Sequence, residues 1–191
     1  MVLAHKAATY EDLRKLPESV RAEVIHGEVV VAPPPLMRHG LAQADVAAQL
    51  RPARLGSGGG DLGWWIATEV DIQMAAHEIY RPDVAGWRRS RVPVLPDSWP
   101  VDLLPDWVCE VLSPSNQRDD RMKKMAVYRD CGVAHAWLVD PAIRTLEAYQ
   151  NDGKHWILLG TWSDGDVLGI APFETFDMDV GALFEPLPAE K

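Results

Sequence analysis

The stretch Trp107-Val108-Cys109-Glu110-Val111-Leu112 constrains this chain more than any other, because a carboxylate stands in the middle of an otherwise apolar run. The run predicts a buried strand, in which Glu110 shares a face with Val108 and Leu112 while its neighbours point the other way. A carboxylate in that position is costly unless it is paired, hydrogen-bonded or bound to a metal. Immediately downstream, Ser113-Pro114-Ser115 supplies helix-start chemistry for a helix of roughly Gln117 to Asp130, with Gly132 in the usual terminating position.

The rest of the chain supplies elements to build around that strand. Thr9 followed by Asp12 predicts a short capped helix that Pro17 closes. Two β-branched runs between Val20 and Val31 flank His26-Gly27 and predict a hairpin ending at Pro33-Pro34-Pro35. Met37 to Leu50 has a helical pattern, which Pro52 and the Gly56-Ser57-Gly58-Gly59-Gly60 stretch end in a flexible loop. Short β-prone segments follow at Trp64 to Ile66, Val70 to Met74 and Asp83 to Trp87, and a Pro-rich loop from Pro93 to Pro105 leads into the Glu110 strand. His135 to Val139 is a further strand, and Arg144 to Gln150, Lys154 to Thr161 and the Gly/Asp-rich tail suggest a β-meander covering one end of the sheet. This order predicts an α/β (α+β) fold with a mixed central β-sheet flanked by helices.

At 191 residues and 47% hydrophobic composition, the chain fits one domain spanning 1–191 with a substantial core. No apolar run approaches a spanning helix and the N-terminus has no signal-like apolar region, so the expectation is a cytoplasmic protein without a membrane partner. Cys109 and Cys131 lack metal-ligand spacing and are expected in the core. Gly56 to Gly60 lacks a following Lys-Ser/Thr and no GxSxG appears, so neither a phosphate loop nor a serine nucleophile elbow is supported. A net charge of −9 sits uneasily with nucleic-acid binding, which rests on Lys and Arg neutralising phosphates. Local clusters at Arg88-Arg89-Ser90-Arg91 and from Arg118 to Lys124 leave room for a basic face.

Asp83 opens its strand directly after Arg81-Pro82, so Asp83 and Glu110 on adjacent strands could share one hard divalent cation, Mg²⁺ or Mn²⁺. Asp120, Lys124 and Tyr128 recur every four residues and line one helical face, from which Lys124 can point back toward Glu110. In metal-assisted phosphodiester hydrolysis the cation polarises the phosphoryl oxygen while a nearby Lys stabilises charge or orients the nucleophile.

These stretches, together with Glu23-Val24-Ile25-His26-Gly27-Glu28, His39 after the Pro run, Arg81-Pro82-Asp83-Val84 and Gly132-Val133 through Trp137-Leu138-Val139-Asp140, resemble a bacterial family of restriction-endonuclease-like proteins within the PD-(D/E)XK nuclease superfamily. The resemblance covers about residues 10 to 185 and implies a restriction-endonuclease-like core. It further implies Asp83 and Glu110 as metal ligands, with the backbone carbonyl of Val111 as a third and Glu23 completing the site. The superfamily's E-x-K lysine falls at Leu112 here, and Lys124 matches the lysine that the family places on the following helix.

Each residue also has a plainer role open to it. Asp83 can cap a turn, Glu23 can be the polar side of a hairpin strand, and Lys124 can be the i+4 partner of Asp120. His39 can fill a local hydrogen-bonding need, Tyr128 and Trp137 can be core aromatics, and Asp140 can form a turn. Trp64, Trp65 and Trp87 can stack on bases or simply pack.

The leading expectation is a Mg²⁺- or Mn²⁺-dependent endonuclease hydrolysing DNA phosphodiesters, with Asp83, Glu110 and Lys124 catalytic and a homo-oligomer expected by analogy. Alternatives are an inactive nuclease-like scaffold binding nucleic acid or a protein, and a metal-dependent hydrolase of a small phosphate ester. Asp83, Glu110 and Lys124 gathered around one cation would favour the enzyme, and a separated or salt-bridged trio the scaffold.

Overall fold

The computed structural model describes residues 6–56 and 63–186. Its centre is a six-stranded mixed sheet built from β3 (Trp64–Thr68), β6 (Val84–Arg88), β7 (Trp107–Val111), β8 (His135–Asp140), β9 (Thr145–Asn151) and β10 (Trp156–Ser163). The strand order is β10-β9-β8-β7-β6-β3. β7 and β8 are parallel, with Cys109 opposite Trp137, and the other neighbours run antiparallel. A parallel pair needs a long crossover. That crossover consists of α3 (Gln117–Asp119), a π-helical turn (Asp120–Lys124) and α4 (Met125–Cys131), which ends where Gly132 turns left-handed at φ 89°.

Beside this sheet lies a four-stranded antiparallel one, ordered β2-β1-β5-β4. It contains the expected hairpin of β1 (Ala22–Ile25) and β2 (Glu28–Val31), together with β4 (Ile72–Ala75) and β5 (Glu78–Tyr80). His26 and Gly27 take φ values of 52° and 76°, the positive pair that a two-residue hairpin turn demands. Sequence reasoning did not find β5, since three residues are too few to display alternation. Short α1 (Tyr10–Leu13) is capped as expected: the Thr9 backbone N–H and hydroxyl both donate to Asp12.

The central strands divide their side chains cleanly. Trp107, Cys109 and Val111 of β7, with Trp137 and Val139 of β8, face a core closed by α2 (Met37–Gln49) through Ala42 and Val46. On the opposite face Val108 and Leu112 join Leu138, α4 residues Met125 and Tyr128, and Ile25, Ile72 and Tyr80 from the four-stranded sheet. Cys109 is buried, as expected of a core residue. The meander β8-β9-β10 lengthens the central sheet along its edge; it does not cover an end of that sheet. The covering is done by the Gly/Asp-rich tail beyond β10, the last part of the expected meander, where β11 (Val167–Gly169) and β12 (Asp177–Asp179) pair, and Ile170, Phe173, Met178 and Leu183 enter the first core. Most of the expected glycine loop after Gly56 lies outside the described residues.

Aromatic rings tie the covering segment to the sheet. Phe173 meets Trp64 at 4.8 Å, Trp107 at 5.0 Å and Trp137 at 5.5 Å between centroids, the latter two near perpendicular. Edge-to-face pairs of this kind add to the burial term. Phe173→Ala is expected to lower the unfolding free energy by about 3–5 kcal/mol in urea titration. Trp99→Ala, at a site 73% exposed, should cost no more than about 1 kcal/mol. Similar costs for the two would contradict this placement of the core.

Candidate active site

Where the two sheets meet, a cavity of about 120 Å³ opens at the end of β7. Its walls come from β1, the segment Val30 to Leu36, the first turn of α2, Asp83, Glu110 and the start of the crossover. The proline run cannot join a helix, so α2 starts only at Met37, which puts His39 in its first turn. Gln43 follows one turn later on the same face.

Helix α2 and the neighbouring strands hold Asp83 at several atoms. His39 Nε2 lies 2.9 Å from Asp83 Oδ1, and the Val111 N–H donates to Asp83 Oδ2 at 2.7 Å. The Gln43 amide donates to the Asp83 carbonyl at 3.0 Å and to Glu69 Oε1 at 3.1 Å, while the Glu69 N–H reaches the same carbonyl at 3.3 Å. Glu69 also pairs with Arg21. Burial pulls the His39 imidazole down, but the hydrogen bond and charge of Asp83 outweigh it, and the net direction is upward.

Glu110 is held from the crossover. The Tyr128 hydroxyl donates to Glu110 Oε1 at 2.5 Å, and Lys124 Nζ is 3.5 Å from the same oxygen. The ammonium is also 3.0 Å from Glu23 Oε2 and 3.3 Å from Asp120 Oδ1. Glu23 uses its other oxygen to accept the Arg81 N–H at 2.7 Å. Asp120 and Lys124 belong to the π-helical turn, a helix irregularity found frequently at functional sites.

The electrostatics follow from burial. Glu110 is 2% exposed and Asp120 0%. Burial drives the Glu110 carboxyl well above the usual range despite Lys124, and it pushes Asp120 up from 3.8 to about 6. For Lys124 burial opposes the charge, yet Glu110, Glu23, Asp120 and Asp83 together keep the ammonium well above its ordinary value. Although Asp120 Oδ1 is within ion-pair distance of Lys124, neither Asp120 oxygen has a hydrogen bond of acceptable geometry, and His39 Nδ1 is likewise orphaned.

The structure thus brings Glu23, His39, Asp83, Glu110, Asp120 and Lys124 to one cavity, with Tyr128 bonded to Glu110 from behind. The Asp83, Glu110 and Lys124 trio is salt-bridged on the Glu110 side, while Asp83 is bound by His39 and Val111. Sequence reasoning assigned no site role to Gln43, Glu69, Arg21 or Arg81. Of these, Arg81 stood in the Arg81-Pro82-Asp83-Val84 stretch and Gln43 carried a signal in its four-residue spacing from His39.

The side chains of the basic clusters are largely engaged by neighbours. Arg88 lies at the far end of β6 from Asp83, about 16 Å away at strand rise. Arg88 and Arg89 each stack 4.5 Å over Trp64 and Trp65, and Arg91 pairs with Asp106. Trp64 and Trp87 are buried and Trp65 donates to the Val92 carbonyl, so these rings serve packing. In the second cluster Arg121 pairs with Glu147 and Lys123 with Asp119. Arg81, at the cavity wall, pairs with Asp71 at 2.6 Å.

Among the described residues, no three His, Cys, Asp or Glu side chains converge closely enough to hold a metal ion as they stand. The donor chemistry nevertheless fits a hard divalent cation. Glu23, Asp83, Glu110, Asp119 and Asp120 line the cavity, and Asp120 presents two buried oxygens with no hydrogen-bond donor.

The fold is that of a nuclease-like protein. It superposes on the crystal structure of a "putative nuclease belonging to DUF820" from Anabaena variabilis ATCC 29413 with a TM-score of 0.72 at 19% identity, over 92% of this chain and 97% of that one. The family model Uma2, described as "Putative restriction endonuclease", matches residues 7–181, and the chain belongs to that family. No curated protein matches it. Among the described residues no helix is long and apolar enough to cross a membrane.

The raised Asp120 carboxyl fixes a sign. A folded-state value above the unfolded one stabilises the fold below about pH 4, and that contribution is lost as pH rises through about 6. Asp120→Asn, which mimics the neutral acid, should match wild type near pH 4 in chelator. Its advantage should grow to on the order of 3 kcal/mol above pH 7. Chemical denaturation across this range checks it; a pH-independent difference would contradict the assignment.

Proposed function

We propose that this chain is a Mg²⁺- or Mn²⁺-dependent nuclease that hydrolyses DNA phosphodiesters at this cavity. Asp83 and Glu110 are the principal metal ligands, with the Val111 carbonyl and Glu23 completing the set and Lys124 as the catalytic lysine. The observation carrying this reading is a surplus of acid: half-buried Glu23 and buried Asp83, Glu110 and Asp120 face one cavity, where, among the described residues, Lys124 and His39 are the basic groups that pair with these acids and with no carboxylate outside it. A purely structural site gains nothing from that surplus, since uncompensated buried charge costs several kcal/mol per ion. A divalent cation would offset it and supply Lewis-acid polarisation of a phosphoryl oxygen.

The chain's own residues do the positioning. His39 and the Val111 N–H fix the Asp83 carboxylate, and Tyr128 fixes Glu110. Val30, Val31 and Pro33 to Leu36 form an apolar lip at one side of the cavity. A homo-oligomer would bring two such cavities to the two strands of a duplex.

The scaffold reading retains one specific support. Lys124 is ion-paired with Glu23, Glu110 and Asp120, and Leu112 stands at the E-x-K position. The experiment that separates the two compares wild type with the Asp83→Ala plus Glu110→Ala double variant. The nuclease reading expects saturable Mn²⁺ binding by calorimetry in wild type, abolished in the double variant, and metal-dependent nicking of supercoiled DNA by wild type alone. Absence of cation binding by folded wild type at millimolar Mn²⁺ would leave the scaffold.

A further inference from the structure

Lys124 contacts three acidic side chains at once, at 3.0 Å from Glu23, 3.3 Å from Asp120 and 3.5 Å from Glu110, and its own side chain is 8% exposed. Those three acids arrive from separate elements: β1, the π-helical turn and β7. The ammonium therefore holds the β1 hairpin, the crossover and the central sheet to a common point. A divalent cation recruited to the same carboxylates meets a like charge already in place, and charges within a few ångströms in a poorly solvated site interact strongly.

Resting on the metal-dependent reading above, we infer that Lys124 is the resident counterion of the carboxylate cluster and yields that place when the site takes a divalent cation. Metal binding at this site is an exchange of one cation for another. Lys124 thereby lowers the affinity for metal and keeps the metal-free site folded. Two further observations support the exchange. The acids around Lys124 outnumber it, and Asp120, though fully buried, makes no hydrogen bond to the ammonium or to any other donor. Asp120 is thus an oxygen donor that Lys124 leaves unsatisfied. Lys124 is a positioning residue in this role, acting on the ligands.

The test is calorimetric titration of Mn²⁺ into wild type, Lys124→Met and Lys123→Met, all in the same buffer after chelator treatment. Lys123 is the matched control, carrying the same charge one position earlier and paired with Asp119 on the exposed side. The inference expects Lys124→Met to bind Mn²⁺ at least ten-fold more tightly than wild type, and Lys123→Met to stay within two-fold of it. It also expects Mn²⁺ to raise the melting temperature of Lys124→Met more than that of wild type. Equal or weaker binding by folded Lys124→Met overturns the inference and leaves the metal reading standing. Binding by none of the three proteins defeats the metal reading, and the inference with it. If Lys124→Met does not fold, wild type decides. The slowly exchanging ammonium resonance of the buried lysine, assigned by its loss in Lys124→Arg, should disappear at Mg²⁺ saturation. Its persistence unchanged at saturation overturns the inference.

Discussion

The need to neutralise carboxylates out of contact with bulk water shapes this molecule more than any other single demand. Glu110 sits in a strand otherwise made of core residues, where an unpaired charge would be prohibitive. Its compensation comes from across the parallel connection: the crossover that joins β7 to β8 delivers Tyr128 and Lys124 back onto the strand it left. Once Lys124 is there, Glu23 draws the β1 hairpin against it, and Asp120 lies one turn up the same helix. Asp83 at the start of β6 is anchored separately, through His39 on α2 and the Val111 N–H on β7. The junction of two sheets and two helices is consequently an electrostatic junction.

The two faces of the central sheet divide the labour. One carries the aromatic contacts among Trp107, Trp137, Phe173 and Trp64 and is sealed by α2 and the segment beyond β10. The other is apolar over much of its area but gives way to the acidic cavity at the end of β7. A dense apolar face next to a polar one allows the second to hold a charge-rich site while the first supplies stability. That arrangement is expected where function sets local demands against stability.

The sequence made much of this legible, for identifiable reasons. Alternation around Glu110 assigned its face correctly, since the period of a strand leaves no freedom once Val108 and Leu112 are buried. Four-residue spacing put Asp120, Lys124 and Tyr128 on one side of the crossover, although the turn that carries the first two is π-helical and no propensity signals that. The hairpin at His26-Gly27 and the helix stop at Gly132 were visible because each needs positive φ. What stayed hidden was long-range. Nothing local distinguishes Gln43 or Glu69 as supports for Asp83, and β5 is a strand only because β1 and β4 flank it. His39 was a candidate site residue with a plainer local hydrogen-bonding role beside it, and the partner it finds, Asp83, is 44 residues away in sequence. The engagement of the Arg88 to Arg91 cluster was hidden for the same reason, because stacking on Trp64 and Trp65 and pairing with Asp106 are invisible in a charge count.

The most direct measurement of the central claim is anomalous diffraction from crystals of the wild-type protein soaked in Mn²⁺. The account predicts a peak inside the cavity at about 2.1–2.3 Å from carboxylate oxygens of Asp83 and Glu110, with the Lys124 ammonium moved off Glu110. A cavity that stays free of manganese at saturating concentration, with Lys124 still against Glu23, Glu110 and Asp120, would contradict it.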